Sequence, residues 1–253
     1  MKKILDVNRF MQDPSHCAVA ASASYVNYFN NEIDYEFVKP VAYEINKNIE
    51  NGSGMEDPEI GILLNIFGFK RVEIINADLN YLDFSWEPLS KNDLIEIFEK
   101  ESKRKLWKES GHNDTFKCLV KFLRMNGYSN RLIIDNNFGE RIREAIDNNI
   151  PPIITFNWTS LFKSAKRNNK KEEDPIYGDS EEHAVVVNGY DKKGAYIVDS
   201  HHQCYKYSLK EYRDGKYFIP WEKLMIAMGM TGSIVIGYEY SKEKLQYELV
   251  QSD

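Results

Sequence analysis

Three cysteines in 253 residues are an odd number and too few for a disulfide framework, which points to a reducing compartment. No apolar run approaches the roughly 18 residues of a membrane span. The start MKKILDVNRFMQDP has a short basic lead, but Asp6, Asn8 and Arg9 break its apolar segment too early for a signal peptide. Basic residues are also in deficit: 33 Lys and Arg face 39 Asp and Glu, a net charge of −6. With no basic stripe, a nucleic-acid partner is excluded, because phosphate binding needs a concentrated positive field. Internal repeats are absent, and no CxxC or HxxxH spacing marks a metal site. A soluble cytoplasmic protein is expected, with leaderless export left open.

What is present is a chain with 42% hydrophobic residues, long enough to bury a sizeable core as one domain over 1–253. Helices come first. Asp13, Pro14 and Ser15 form a helix entrance, and Val19, Ala20, Ala23 and Val26 follow at helical spacing, so the first helix begins near Cys17. Residues 34–49 predict a second helix, and GSGMEDPEIGILLNIFGF a loop and a third that stops at Gly68. The charged, aromatic stretch 76–112 carries an amphipathic stripe of Leu94, Ile97, Phe98 and Leu106. FKCLVKFLRMNGY makes another helix, with Cys118 on its apolar side as core filler. The last third reads as sheet: RLIIDN, PPIITFNW, HAVVVNGY, GAYIVDS and GSIVIGYEY are β-branched runs, with the helix FGERIREAIDNNI among them. The fold class is therefore α+β, an N-terminal helical half packed on a C-terminal, mostly antiparallel sheet.

Cys17 stands where a polar, proline-bearing segment turns into a small-residue apolar helix, and it could be filler, a metal ligand or a nucleophile. His183 changes the balance. It opens an Ala/Val strand directly after an acidic loop, whereas His16 adjoins the cysteine, His112 falls in a polar loop, and His201 and His202 end the next strand. A carboxylate ending that neighbouring strand, Asp199, could hold the imidazole in one tautomer.

Whether Asp199 reaches His183 depends on strand parity. A plain four-residue loop pairing 190 with 195 turns Asp199 away. One extra residue reverses this: with Gly194 left-handed in a bulged DKKG turn, 185 opposes 199, and Asp199 becomes a same-face diagonal neighbour of His183.

The helix opened by cysteine (CAVAASASYVNY), the glycine-bearing loop before another helix, the helix leading into NNIPPIITFNW, the block HAVVVNGYDKKGAYIVDS and the late Trp221 together resemble the papain-like cysteine peptidases. Within them the order resembles the C39-like peptidase group. The resemblance implies a papain-like fold and a catalytic set of Cys17, His183 and Asp199, with Gln12 as the side-chain donor of an oxyanion hole. Two departures stand out: Ala18-Val19 replaces the Gly-Pro that often follows the cysteine, and Gln12 lies one residue nearer to it than usual. The chain exceeds a minimal domain of this type, with surplus at about 76–112 and 159–182. Only 16 residues precede Cys17, too few for a folded pro-segment, so the charged stretch 163–182 is expected to gate the cleft.

A thiol at a helix N-terminus beside an imidazole can ionise, attack a carbonyl and form an acyl-enzyme. Water as acceptor gives a peptidase or isopeptidase acting on a peptide or protein. An amine or carrier thiol as acceptor gives an acyltransferase, and a third reading is a non-catalytic binding module that keeps the fold. No cofactor and no metal are expected: zinc held by Cys17, His183, His201, His202 and Cys204 is disfavoured because His201 and His202 are adjacent on an extended segment and face opposite ways.

Overall fold

One sheet organises the chain. The computed structural model describes residues 2–51, 53–105, 112–168, 172–201 and 215–242. Eight strands, β1 (Lys3–Ile4), β2 (Phe69–Asn76), β3 (Arg131–Ile134), β4 (Ile153–Asn157), β5 (Glu182–Tyr190), β6 (Gly194–Val198), β7 (Lys216–Pro220) and β8 (Ser233–Tyr240), pair in the order β3-β2-β8-β4-β5-β6-β7, with β1 added to β5. Among the described residues, β2 and β3 run parallel and the other pairings are antiparallel.

The near-continuous apolar run of β5 means that both faces of the sheet are covered. Ala184 and Val186 face a first core, Val185 and Val187 a second. Helices α1 (Cys17–Phe29), α2 (Tyr35–Ile45), α3 (Asp57–Ile66), α4 (Lys91–Glu101) and α5 (His112–Arg124) build the first. Helices α6 (Phe138–Asp147), α7 (Trp158–Phe162) and α8 (Trp221–Thr231) build the second. Helix α1 is the central piece. Its run from Ala18 to Asn27 is buried without interruption, and its small side chains let its backbone approach β5 on one side and α2 and α3 on others.

The α+β architecture is the expected one, but the two halves interleave. Strand β2 comes from the N-terminal half, yet lies between β3 and β8, and a second helical layer covers the sheet's far face. His112 begins α5 rather than sitting in a loop. The stretch 76–112 is not peripheral: Leu82, Leu94 and Phe98 belong to the first core. Leu106 lies outside the described residues, as do His202 and Cys204. Where described, segment 163–182 is internally bonded, with Arg167 and Asp179 exchanging both backbone hydrogen bonds and Arg167 pairing with Glu181 at 3.7 Å. No helix among the described residues is long and apolar enough to cross a membrane.

Candidate active site

Cys17 is the first residue of α1, so its thiol stands at the end of the helix where backbone N–H groups lack helical acceptors. The turn before it is fixed from outside. Ser15 takes a left-handed φ of 65°, an uncommon conformation for a side-chain-bearing residue. Asp13 bonds Lys39 at 2.5 Å and Tyr35 at 3.3 Å, both from α2. His16 is buried, with its ring nitrogens against the Tyr35 hydroxyl and the Ile49 carbonyl, each at 3.3 Å. His16 is thus a structural neighbour that anchors the turn.

His183 and Asp199 meet as parity requires, although the extra residue lies elsewhere than expected. Val186 opposes Val198 and Val187 opposes Ile197, while Tyr190 pairs with Ala195 across a plain four-residue loop. The shift falls between Val187 and Gly189, at Asn188. The left-handed glycine anticipated at Gly194 is therefore wrong: Gly194 is not among the positive-φ glycines and lies in strand opposite Pro220. Asn188 is held by the N-terminal segment instead. Its carbonyl accepts from the Leu5 N–H at 2.6 Å and its side-chain amide donates to the Leu5 carbonyl at 3.0 Å.

Asp199 is fully buried and surrounded by donors. Its Oδ1 accepts from His183 Nε2 at 2.8 Å and from the His201 backbone N–H at 2.7 Å; its Oδ2 accepts from the Tyr217 hydroxyl at 2.7 Å. Three donors stabilise negative charge on the carboxylate. The backbone around it is clamped as well, because Arg9 Nε donates to the Asp199 carbonyl at 2.5 Å and the Asp199 N–H donates to the carbonyl of Gly215 at 2.7 Å. Gly215 has φ +75°, and a Cβ there would lie 1.8 Å from Arg9 Nε. Only glycine leaves room for the arginine.

With Nε2 engaged by Asp199, Nδ1 is the ring nitrogen left for Cys17, which lies close enough for thiol and imidazole to shift each other's pKa. Burial opposes charge on both groups, but the imidazole beside Cys17, with the N–H groups of Ala184 and Ala18, holds the thiol below its ordinary pKa. Burial likewise disfavours imidazolium, yet the Asp199 charge and hydrogen bond, with the cysteine, push His183 up to about 10. Both shifts run in the direction that favours a thiolate–imidazolium pair. The ring is fixed edge-on by Trp158 and Phe156, at centroid distances of 4.6 and 6.0 Å.

Gln12 sits on the other side of the turn. Its Oε1 accepts from Ser200 Oγ at 2.7 Å, and its backbone N–H donates to the Ser200 carbonyl at 3.3 Å. The residue following Asp199 thus orients the Gln12 amide with its oxygen committed and its NH2 group turned the other way.

Sequence reading missed Tyr217, Arg9, Trp158 and Ser200. Trp158 ends the PPIITFNW run and Ser200 follows Asp199, so both stood within segments already singled out. Tyr217 and Arg9 carried no local signal. Cys118 has the opposite environment from Cys17: burial and the charges of Glu59 and Glu56 push its thiol up to about 12, as suits a half-buried residue on α5.

Comparison with solved structures finds a crystal structure described as a C39-like peptidase from Bacillus anthracis, 16% identical, covering 95% of this chain and 100% of that one at a TM-score of 0.40. It also finds xylellain, a cysteine protease from Xylella fastidiosa, 14% identical, covering 95% of this chain and 86% of that one at a TM-score of 0.47. Among curated proteins the sequence has no match. The model of the Peptidase C39-like family matches residues 4–224, and the chain, with its cysteine at a helix start and its histidine on the adjoining strand, belongs to that family of cysteine peptidases.

Proposed function

We propose that the protein is a cysteine peptidase that hydrolyses a peptide or isopeptide bond through Cys17, His183 and Asp199. The observation that carries this reading is the Cys17 thiol at a helix start beside the His183 ring, whose Nε2 bonds the buried Asp199 carboxylate at 2.8 Å. Cys17 transfers its proton to His183, and the thiolate sulfur attacks the substrate carbonyl carbon. The resulting oxyanion is held by the Cys17 backbone N–H and the Gln12 amide. The C–N bond then breaks, the amine leaves with the proton from His183, and an acyl-enzyme remains on sulfur. Water, deprotonated by His183, attacks that thioester and releases the acid and the thiol. Membership of a peptidase family favours water over an amine or carrier thiol as acceptor.

Selective alkylation tests the nucleophile. A free thiol of pKa about 8.5 is only ~0.3% thiolate at pH 6, whereas Cys17 is lowered and paired. Limited iodoacetamide at pH 6, followed by intact mass and peptide mapping, should modify Cys17 ahead of Cys118 and Cys204. Cys118, with its thiol pushed up to about 12, should stay silent. Equal labelling of all three sites would overturn the assignment.

Gln12 has a kinetic signature of its own. Gln12→Ala should lower kcat roughly 10²- to 10³-fold, the usual effect of removing one oxyanion donor, with little change in KM. Ser200→Ala frees the Gln12 amide to turn and should give a smaller loss of the same kind. A normal kcat in Gln12→Ala would assign the donor elsewhere.

A further inference from the structure

The edge of the sheet that holds His183 continues into a second feature. His183 pairs with Phe156 on β4, Thr155 with Ser233 on β8, and Ser233 with Asn76 on β2, so the starts or ends of four adjacent strands share this edge. Three strand spacings make about 14 Å, the span of about four extended residues. Beyond Asn76 the chain enters a groove of about 560 Å3 between α6, α8 and the loop after β2, lined by Leu79, Phe84, Phe138, Trp221, Met225 and Gly229. Leu79 is 64% and Phe84 40% exposed, an apolar lining open to solvent. Arg143 also lines the groove, with its guanidinium 5.2 Å from the centre of the Trp221 ring.

Carboxylates fill the interval. Glu182 immediately precedes His183 and lies beside Thr231, two residues beyond Gly229 of the groove. Asp57 accepts from Asn76 Nδ2 at 3.2 Å, Glu56 precedes it, and Asp78 lies between Ala77 and Leu79 of the lining. None of the ion pairs among the described residues involves these four groups. Loss of hydration beside the surrounding protein first, and then repulsion between neighbouring carboxylates, push Glu56 and Glu182 up to about 7 and Asp57 up to about 6, while Glu56 and Glu182 keep exposed surface. Such a set gains from an incoming cation. No group of three or more His, Cys, Asp or Glu among the described residues is arranged to hold a metal ion, so the strip suits an elongated organic cation rather than a metal.

Resting on the peptidase reading, we propose that the substrate is a polypeptide with a Lys or Arg side chain beside the scissile bond, received by Glu182, Asp57 and Asp78, and a large apolar side chain about four residues away, seated in the groove. Charge opposite to the strip and continuity of the strip with both the Cys17–His183 pair and the groove select this occupant. Burial of an aromatic side chain alone contributes about 1.5–3 kcal/mol, roughly tenfold or more in affinity.

Fluorescent decapeptides with Lys and Phe four residues apart, in both chain orders, test the proposal on the full-length Cys17→Ala protein by anisotropy. The tighter order should bind about tenfold more strongly than its Lys→Glu or Phe→Ser counterpart. Glu182→Gln combined with Asp78→Asn should abolish the preference for Lys and keep that for Phe. Leu79→Glu, at an exposed position that folding tolerates, should do the reverse. Equal binding of all peptides, or preferences that these substitutions leave intact, would overturn the proposal. Wild-type turnover is read in parallel: cleavage without preference defeats the strip and spares the peptidase reading, whereas preference in binding without cleavage by any wild-type preparation defeats the peptidase reading alone.

Discussion

Cys17→Ala is expected to reduce turnover of a peptide substrate to background, and His183→Ala to do the same. In the proposed mechanism the first removes the atom that forms the acyl bond, and the second removes the group that takes the proton from sulfur and returns it to the leaving amine. Because the two act as one unit, losses on the order of 10⁵- to 10⁶-fold should appear in each single variant, and the double variant should be hardly worse. A residual rate of about 10³–10⁴ over water, from oxyanion binding alone, is the floor. Both variants should fold, since Ala adds no bulk and Cys17 retains partial exposure. A second readout separates chemistry from structure: in His183→Ala, Cys17 should lose its rapid alkylation at pH 6 and label like an ordinary thiol. Measurable kcat/KM in Cys17→Ala above a few per cent of wild type, or undiminished alkylation in His183→Ala, would defeat the assignment.

The sequence carried the site better than it carried the sheet, for physical reasons that particular residues show. Cys17 was legible because a helix entrance and a run of Ala and Ser are local patterns, and the same run lets α1 be buried on all sides. His183 and Asp199 were legible because β5 and β6 are β-branched and close in sequence. Their shared face followed from a count of one extra residue, and that count was right while its location was not. Gly194 offered a local reason for a bulge. The observed bulge at Asn188 is set by Leu5, more than 180 residues away in sequence, and no local pattern announces it. Strand β2, FKRVEIIN, escaped notice because its charged residues interrupt the apolar alternation; it is nonetheless a central strand, buried at Val72, Ile74 and Ile75 by its place between β3 and β8. Tyr217 reaches Asp199 from β7, whose position depends on pairing with β6. The groove and its acidic approach are assembled from four separate segments, so no single stretch of sequence displays them.

Asp199→Asn distinguishes orientation from charge. The hydrogen bonds select one flip of the introduced amide. Oδ1 must remain an oxygen, because the His201 backbone N–H can only donate to it. The NH2 group therefore replaces Oδ2 and faces the Tyr217 hydroxyl, which can reverse its role and accept. His183 Nε2 keeps an acceptor, so the ring stays in the orientation that presents Nδ1 to Cys17. What disappears is the negative charge, the foremost influence holding the imidazolium against the opposing effect of burial. Loss of activity should fall in the range of 10²- to 10⁴-fold known for such partners. The pH profile should change as well. With His183 pushed up to about 10, the proposed pair should persist until the histidine loses its proton, so kcat/KM should fall on the alkaline side as that limit is approached. A raised histidine pKa also stabilises the fold below the ordinary histidine value, and that contribution is lost as pH rises toward 10. In Asp199→Asn both the alkaline limb of activity and this loss of stability should move to lower pH. Tyr217→Phe, which keeps the charge and removes one donor, should leave the limb close to its place. Joining the two changes removes the Tyr217 oxygen that accepts from the new NH2 group, so Asp199→Asn/Tyr217→Phe should lose more than the product of the separate effects. An alkaline limb that stays at its wild-type position in Asp199→Asn would show that the carboxylate does not govern the charge on His183.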